Sequence, residues 1–252
     1  MTVYVAGPDT GTVAVVEGGA VVAAIPAGDK PYAVAATTER LYVTDFTGHA
    51  VSVVDRDTRA VVSRIPVGTS PGGIVLSPGG RRAYVTNYQT HDVHVIDTAT
   101  CRVIATVPVG AHPNGVGVTR DGAHVYVTNT GANSPEQPND VSVIDASSLT
   151  VVASIEVEAG AYGLAVAPVG RRVYVAHYYS HRVLAIDTAS REIVLQAEVG
   201  QSPESLALSP DGTLLYVSSR RAHELTIVGT EAGEVVARVP VRHPAGVTAP
   251  PK

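Results

Sequence analysis

Six copies of one short motif, an apolar residue followed by Tyr and Val, restrict the fold of this 252-residue chain more than any other feature. The motif tyrosines are Tyr4, Tyr42, Tyr84, Tyr126, Tyr174 and Tyr216, with spacings of 38, 42, 42, 48 and 42 residues. Self-similarity at a nearly fixed period of this length is typical of folds built from repeated units. The period therefore predicts six equivalent structural units.

Each period contains four apolar segments separated by turn residues. The Tyr-Val segment (strand B) precedes segments such as VSVVD at 51–55 (strand C) and VVSRIPVG at 61–68 (strand D). A Pro-led segment such as PGGIVLS at 71–77 (strand A) opens the next period. Val and Ile favour strands because their branched side chains pack well on a pleated surface. Many of the segments are almost continuously apolar, which is typical of sheets covered on both faces, as propeller blades are.

The two ends of the chain fit a closed ring. The sequence begins at a strand B and ends with PAGVTAP (244–250), a strand A that lacks its own strand B. Pairing these segments would complete a sixth blade and remove an open sheet edge. The predicted fold is all-β: a six-bladed β-propeller with four antiparallel strands per blade, in a single domain spanning 1–252. An open stack of repeats or a β-sandwich is the alternative, but neither explains the split blade. The predicted blades are 244–250 with 1–30, 31–70, 71–112, 113–160, 161–202 and 203–243.

Composition and charge argue against several function classes. The formal net charge is −5, and the arginines occur as isolated pairs and not as the basic clusters that nucleic-acid binding needs. Cys101 is the only cysteine, so an internal disulfide or a cysteine-ligated metal site is not expected. No apolar run reaches the length of a membrane span, and the first residues already belong to the repeat. We therefore expect a cytoplasmic protein without nucleic-acid or membrane partners.

Several segments resemble a known family. YVTNY (84–88), YVTNT (126–130), VSVID (141–145) and SPDG (209–212) are similar to the repeats of the YVTN family of β-propellers, and the similarity extends over the whole chain. The resemblance implies a propeller fold. It implies no single function, because the family includes enzymes, binding proteins and proteins of unknown role. Many of its members are exported and have seven blades, and we expect this chain to differ from them in both respects.

The aromatic residues outside the motif are unevenly distributed. In a four-stranded meander the B–C loops and the D-to-A loops share one rim, and every such aromatic residue maps to it: Tyr32, Phe46, Tyr88, Tyr162, Tyr178 and Tyr179. This pattern predicts a ligand or partner site on that rim. The longest period also places an insert there, at 130–140, which is either a neutral insertion or a lid or contact surface.

Four histidines occupy one position of the repeat, two residues before strand C: His49, His91, His181 and His223. Asn139 and Gly11 occupy this position in the other blades. Because equivalent loops of a ring lie roughly 10 Å from its axis, given strands ~4.7 Å apart, four such side chains cannot converge on one ion. We expect them to cap turns, with metal binding as the alternative.

Two other positions of the repeat lie nearer to the predicted channel and vary in chemistry. One is the second residue of strand A, which is Tyr32, Gly72, Asn114, Tyr162, Glu204 or Ala245. The other ends strand B and is Gly7, Asp45, Asn87, Asn129, His177 or Ser219. We expect both sets to face the channel. Asn87 and Asn129 are also the usual family residues, so loop capping is an alternative for them.

Glu204 and His177 come from adjacent blades, and a carboxylate beside an imidazole can act as a general acid/base pair or share a divalent cation with Asp45. Glu204, His177 and Asp45 are therefore the predicted catalytic residues. The predicted substrate-binding residues are Tyr32, Tyr162, Asn114, Asn87, Asn129, Tyr88, Tyr178 and Phe46. Streptogramin-inactivating lyases are similar in architecture but place His on strand A and Glu on strand B, the reverse of this chain.

Two hypotheses about function follow. The first is an enzyme of lyase, cyclase, isomerase or hydrolase type that performs acid–base or metal-assisted chemistry on a small molecule. A divalent cation is the only cofactor that the residues suggest for it. The second is a non-catalytic propeller that binds a small ligand or a protein partner through the aromatic rim.

Overall fold

A computed structural model describes residues 2–131, 139–168 and 171–242, and within these ranges the regular structure consists of 23 β-strands. The predicted final strand, 244–250, and most of the insert at 130–140 lie outside the described residues. No helix long and apolar enough to cross a membrane occurs in the described ranges.

The chain divides into two compact units, residues 1–113 and 114–252. The first unit contains three antiparallel sheets, one per blade. Blade 1 is formed by β1 (Thr2–Gly7), β2 (Thr12–Glu17) and β3 (Ala20–Pro26). Blade 2 is formed by β4 (Pro31–Ala36), β5 (Arg40–Asp45), β6 (Ala50–Asp55) and β7 (Val61–Pro66). Blade 3 is formed by β8 (Pro71–Leu76), β9 (Arg82–Asn87), β10 (Asp92–Asp97) and β11 (Arg102–Pro108).

The second unit contains three four-stranded antiparallel sheets, and the unit boundary falls at the first residue of β12. Blade 4 is formed by β12 (Pro113–Val118), β13 (His124–Asn129), β14 (Asn139–Asp145) and β15 (Thr150–Val157). Blade 5 is formed by β16 (Ala161–Val166), β17 (Arg172–His177), β18 (Arg182–Asp187) and β19 (Ile193–Glu198). Blade 6 is formed by β20 (Pro203–Leu208), β21 (Leu214–Ser219), β22 (Glu224–Gly229) and β23 (Val235–Pro240).

These sheets confirm the predicted fold class, an all-β six-bladed propeller with strands in the order A, B, C, D. Blade 1 shows strands B to D, because its predicted strand A is the segment outside the described residues. The predicted pairing between the chain ends therefore stays a prediction. The predicted single domain spanning 1–252 and its blade boundaries stay predictions.

The core of each unit lies between successive blades. In the first unit, Tyr42, Val51 and Val53 of blade 2 pack with Val85 and Ile96 of blade 3, and all five side chains are buried. A strand buried on both faces needs apolar residues at consecutive positions and not at alternate ones. This explains the continuous apolar character of strands B and C.

The motif tyrosines join neighbouring blades. The hydroxyl of Tyr42 donates to the carbonyl of Thr98 in the next blade at 3.3 Å, and that of Tyr174 donates to the carbonyl of Thr230 at 3.4 Å. In both cases the acceptor lies in the C–D turn of the following blade. Burial of a tyrosine requires such a partner for its hydroxyl. Packing and hydrogen bonding between blades therefore account for Tyr42 and Tyr174 at this position of the repeat.

Strand A is irregular at its second residue. The ladder between strands A and B shifts register between Pro31 and Val34, and equivalent shifts follow Pro71, Ala161 and Pro203. A bulge removes a residue from the regular ladder and changes the direction of its side chain. The chemically variable position of strand A, which includes Tyr32 and Glu204, lies within this bulge.

Candidate functional site

Five of the six residues that end strand B are wholly buried: Asp45, Asn87, Asn129, His177 and Ser219. Asp45 shows the role of this position most clearly. Its carboxylate accepts hydrogen bonds from the backbone N–H groups of Asp29 at 3.0 Å, Lys30 at 2.9 Å and Gly48 at 3.1 Å. Arg64 adds an ion pair at 3.5 Å. The carboxylate therefore fastens the D-to-A loop that enters blade 2 to the B–C loop of the same blade.

His177 has a related position in blade 5. Its Nδ1 lies 2.9 Å from the backbone carbonyl of Glu158, in the D-to-A loop that enters the blade, so Nδ1 carries the proton in this contact. Nε2 is buried and has no hydrogen-bond partner among the described residues. Burial lowers the pKa of the imidazole, because the charged form loses more solvation than the neutral form. His177 is therefore a neutral, enclosed side chain at physiological pH.

The two asparagines at this position also hold loop residues. The side-chain amide of Asn87 donates to Asp92 at 2.7 Å. That of Asn129 donates to Asp140 at 3.1 Å and to Ser142 at 2.8 Å. These contacts favour the capping alternative. Asp45, His177, Asn87 and Asn129 remain predicted site residues, but their burial leaves no side-chain surface for a ligand to reach.

The histidines that precede strand C by two residues cap loops. His49, His91, His181 and His223 all adopt left-handed backbone conformations, with φ between 50° and 58°. The Nδ1 atoms of His49, His91 and His181 accept hydrogen bonds from the backbone N–H groups of Ser70, His112 and Ser202, each 21 residues further along the chain. This confirms the expected capping role for three of the four histidines.

Asn139 makes the same connection in blade 4, where its carbonyl oxygen accepts from the N–H groups of Gly160 and Ala161. Blade 6 differs in covalent structure, since the residue 21 positions after His223 is Pro244, which has no amide hydrogen.

In the first unit, the predicted aromatic residues form two small groups. The rings of Tyr32 and Phe46 lie 5.8 Å apart, with the ammonium group of Lys30 5.3 Å from the centre of the Phe46 ring. Tyr88 stacks on His112 at 4.6 Å. Tyr32 is 42% exposed, so the first group forms part of the surface. Asn114 lies in the second unit and is half-buried.

In the second unit, predicted site residues form a larger aromatic cluster. Tyr178 lies 5.6 Å from Tyr162 and 5.3 Å from Tyr179, measured between ring centres. The guanidinium group of Arg221 lies 5.9 Å from the centre of the Tyr178 ring. A cation placed over an aromatic face is attracted by the negative potential of the ring. This cluster therefore joins the B–C loop of blade 5 to that of blade 6.

Glu204 lies next to this cluster. A Cβ on Gly163 would come within 2.3 Å of the backbone oxygen of Glu204, so glycine at 163 permits close contact between the inner strands of blades 5 and 6. The Glu204 carboxylate is 18% exposed and pairs with Arg220 at 3.7 Å. Burial raises the pKa of Glu204, while Arg220 opposes the shift. Glu204 thus pairs with an arginine, and His177 with a backbone carbonyl.

An open pocket of ≈ 430 Å³ lies between these two B–C loops and is lined by Tyr178, Arg220, Arg221 and His223. Pockets of a few hundred Å³ with convergent polar groups are the usual size of small-molecule sites. We call this the Tyr178–Arg221 pocket. Glu204 is not one of the lining residues, but it forms an ion pair with Arg220, which is.

The charges around the pocket are unbalanced. Arg221 has no ion-pair partner among the described residues, whereas Arg220 is paired with Glu204. The next acidic residue along the chain, Glu224, is engaged by Arg238 at 2.6 Å. The pocket therefore carries a local excess of positive charge, although the whole chain has a formal net charge of −5.

Among residues 2–131, 139–168 and 171–242, no three His, Cys, Asp or Glu side chains are arranged to hold a metal ion. The predicted divalent cation stays a prediction, without a cluster of these four residue types in this part of the chain. Asp45 and Glu204 are both engaged by arginine side chains.

The sequence interpretation did not identify Arg220 and Arg221 as site residues. One signal distinguishes them: they follow the end of a strand B, whereas Arg81–Arg82 and Arg171–Arg172 lie at the start of one. The first residue of the B–C loop is also aromatic in blades 2, 3 and 5, where it is Phe46, Tyr88 and Tyr178. Arg220 takes this position in blade 6, and its backbone N–H donates to Ser202 as that of Phe46 donates to Lys30.

A comparison with family models now adds to this geometry. Residues 118–208 match the YNCE-like β-propellers. This match covers the second unit from the end of β12 to the end of β20 and agrees with the resemblance to YVTN repeats. A comparison of the sequence with curated proteins finds no match.

Solved structures support the fold over a longer range. A chain of the hydrazine synthase of Kuenenia stuttgartiensis superposes with a TM-score of 0.90 at 22% identity, covering 98% of this chain and 86% of that one. A protein of unknown function from Desulfotomaculum acetoxidans gives 0.81 at 18% identity, covering 100% and 86%. The dihydro-heme d1 dehydrogenase NirN gives 0.64 at 23% identity, covering 81% of this chain and 44% of that one. At these identities the likeness establishes the propeller fold. Two of the three structures are named as enzymes, a statement about those proteins only.

Proposed function

We propose that this chain is a small-molecule-binding propeller whose ligand occupies the Tyr178–Arg221 pocket. The observation that carries the proposal is the convergence of an aromatic ring, two guanidinium groups and an imidazole on one open cavity. Aromatic and charged side chains around a concave surface bury the apolar part of a ligand and orient its polar part.

The rigidity of the surrounding structure supports this proposal. Tyr178 is held between Tyr162, Tyr179 and Arg221, and its backbone N–H donates to Gly160 at 2.8 Å. Because the ring is already fixed, a ligand that binds against it would lose little affinity to the ordering of side chains. The D-to-A loop at Gly160 has a positive φ of 80°, which glycine adopts without strain.

A competition of fragments observed by NMR tests the proposal. The probes are benzoate, benzamide and benzylamine, which share a ring and differ in charge. We expect at least one probe to give saturation transfer from the protein, and Tyr178→Ala to abolish the signal. Phe46→Ala is the matched control, because it removes an aromatic residue from the equivalent loop position of blade 2. The proposal is wrong if no probe binds, or if Phe46→Ala removes the signal and Tyr178→Ala does not.

Acid–base catalysis in the same pocket is the second candidate function, and the raised pKa of Glu204 favours it. A carboxyl group with a raised pKa is better suited to donate a proton near neutral pH. In this proposal Glu204 acts as the general acid, and Arg220 stabilises the carboxylate that remains after proton transfer. The predicted pair with His177 is not part of it, since that imidazole is enclosed and bonded to Glu158.

Once a substrate is identified, Glu204→Gln distinguishes catalysis from binding. We expect kcat to fall by about 10²-fold or more with little change in KM, since general acid catalysis contributes about 10²–10⁴-fold. Glu224→Gln is the control, because Glu224 has a similar side-chain exposure and also pairs with an arginine. Unchanged turnover in Glu204→Gln would exclude this carboxyl group as the acid and leave the binding function in place.

A further inference from the structure

We infer that the Tyr178–Arg221 pocket selects an organic oxyanion: a small molecule with a carboxylate or phosphate-monoester group on a flat apolar body. The inference rests on the proposed function and adds the chemical class of the ligand. Its basis is the juxtaposition of the Arg221 guanidinium with Arg220, His223 and the Tyr178 ring around one cavity.

Arg221 is the main reason to infer a negatively charged ligand. Its guanidinium group has five N–H donors, and its described interaction is the contact with the Tyr178 ring face, which uses none of them as a hydrogen bond. A carboxylate or phosphate can accept two parallel N–H bonds from one guanidinium, which a neutral amide cannot match. The unused donors therefore favour an anionic group.

The charges of neighbouring residues reduce the attraction of the pocket for an anion but do not cancel it. Two arginines and one acidic residue, Glu204, contribute charge at the pocket, because Glu224 is already paired with Arg238. One net positive charge remains. A cation such as benzylammonium would meet this charge directly, so cationic ligands are disfavoured. A carboxylate would balance it.

The Tyr178 ring is the reason to infer that the apolar part of the ligand is flat. Tyr178 lines the cavity, and its ring contacts the rings of Tyr162 and Tyr179. Stacking of an aromatic ligand against a tyrosine is favourable beyond the burial of apolar area, whereas inorganic phosphate gains nothing from this surface. An oxyanion with an attached ring should therefore bind more tightly than the free ion.

Isothermal titration of the full chain with four probes tests the inference. Benzoate and benzamide are nearly identical in shape and differ in charge, while phenyl phosphate and inorganic phosphate differ by the ring. We expect benzoate or phenyl phosphate to bind at least tenfold more tightly than benzamide, and phenyl phosphate more tightly than inorganic phosphate. The preference for the anion should weaken as salt increases, since screening reduces charge attraction.

Two variants test whether Arg221 causes the preference for an anionic ligand. Arg221→Gln should reduce the affinity for the anionic probe at least tenfold and leave that for benzamide unchanged. Lys30→Gln should change neither, although Lys30 also lies over an aromatic ring, that of Phe46. Arg221 is exposed, so its replacement is not expected to prevent folding.

The outcomes separate the inference from the proposed function. Equal affinity for benzoate and benzamide, both lost in Tyr178→Ala, would overturn the choice of an anion and keep the binding site. Equal affinity for phenyl phosphate and inorganic phosphate would overturn the role of the ring. If no probe binds at all, the proposed function fails together with the inference.

Discussion

The turns between strands B and C in blades 2 and 6, called the B–C corners here, have similar backbone conformations but different side chains. In blade 2 the last residue of strand B is Asp45, whose carboxylate fills the corner and accepts three backbone N–H groups. In blade 6 that residue is Ser219, a smaller side chain whose hydroxyl has no hydrogen-bond partner among the described residues. The next residue is Phe46 in blade 2 and Arg220 in blade 6. One corner is closed by its own side chains, and the other borders a pocket.

This difference shows how a repeat can carry a site without changing its strands. The Tyr-Val motif, the turn geometry and the left-handed histidine are retained in both blades, with φ of 52° at His49 and 50° at His223. The chemistry changes at the last residue of strand B and the first residue of the loop that follows it. Sites placed on rigid scaffolds commonly vary in this way.

Truncation of the side chain that ends strand B should give the largest difference in the free energy of unfolding between the two corners. Asp45→Ala leaves the N–H groups of Asp29, Lys30 and Gly48 without their acceptor, and each such loss costs about 1–3 kcal/mol. We expect the free energy of unfolding to fall by about 3 kcal/mol or more. Ser219→Ala removes an unpartnered hydroxyl and should change it by less than about 1 kcal/mol.

Urea denaturation of both variants measures this difference. Equal losses would mean that Ser219 fastens its corner as Asp45 does, which would contradict the contrast between the two blades. Asp45→Asn should lose less stability than Asp45→Ala, since its single amide oxygen can still accept some of these hydrogen bonds.

The enclosed imidazole of His177 should make stability depend on pH. Its pKa is lowered in the folded chain and is about 6.5 in the unfolded chain, so below that pH the unfolded state binds the additional proton. The free energy of unfolding should therefore decrease as pH falls from about 6.5 towards 5, by up to about 1.4 kcal/mol per pH unit from this group.

His177→Gln should remove this contribution. The pKa of His94 is also lowered by burial, but that residue is present in both proteins, so the difference between their pH profiles isolates His177. Parallel profiles over this range would show that the imidazole is accessible to protons in the folded state, contrary to its burial.

Two substitutions at His49 give the smallest and best-controlled effect. His49→Ala removes the acceptor of the Ser70 N–H at 3.2 Å. His49→Asn keeps an acceptor, because the side-chain oxygen of Asn139 makes the equivalent connection in blade 4. We expect His49→Ala to be more destabilising than His49→Asn by about 1 kcal/mol, measured by thermal unfolding. Equal stability of the two variants would contradict the capping role.

Much of the fold could be predicted because the repeat encodes it many times over. The motif tyrosines, the continuous apolar strands and the capping histidines each depend on local chemistry that recurs from blade to blade. The structure places these features where the spacing predicts them. Chemical variation among the residues that end strand B predicts a functional position facing the channel, and that stays a prediction. The sequence does not indicate that Asp45, Asn87, Asn129 and His177 are all buried.

The pocket was harder to foresee because it depends on contacts between two loops. The sequence indicates that Tyr178 lies on the aromatic rim, but it does not indicate that Arg221 of the next blade packs against that ring. Nor does it indicate that Glu204 pairs with Arg220 and not with His177. The distances between residues of adjacent blades decide which side chains form a site, and the repeat pattern alone does not contain them.

A crystal structure of the protein soaked with phenyl phosphate tests the central claim most directly, since the claim is that the functional site lies at the blade 6 corner. We predict density for the probe with its oxygens within hydrogen-bonding distance of Arg220 and Arg221 and its ring against Tyr178. Density beside Tyr32 and Phe46 instead, or none at concentrations that saturate binding in solution, would contradict the account.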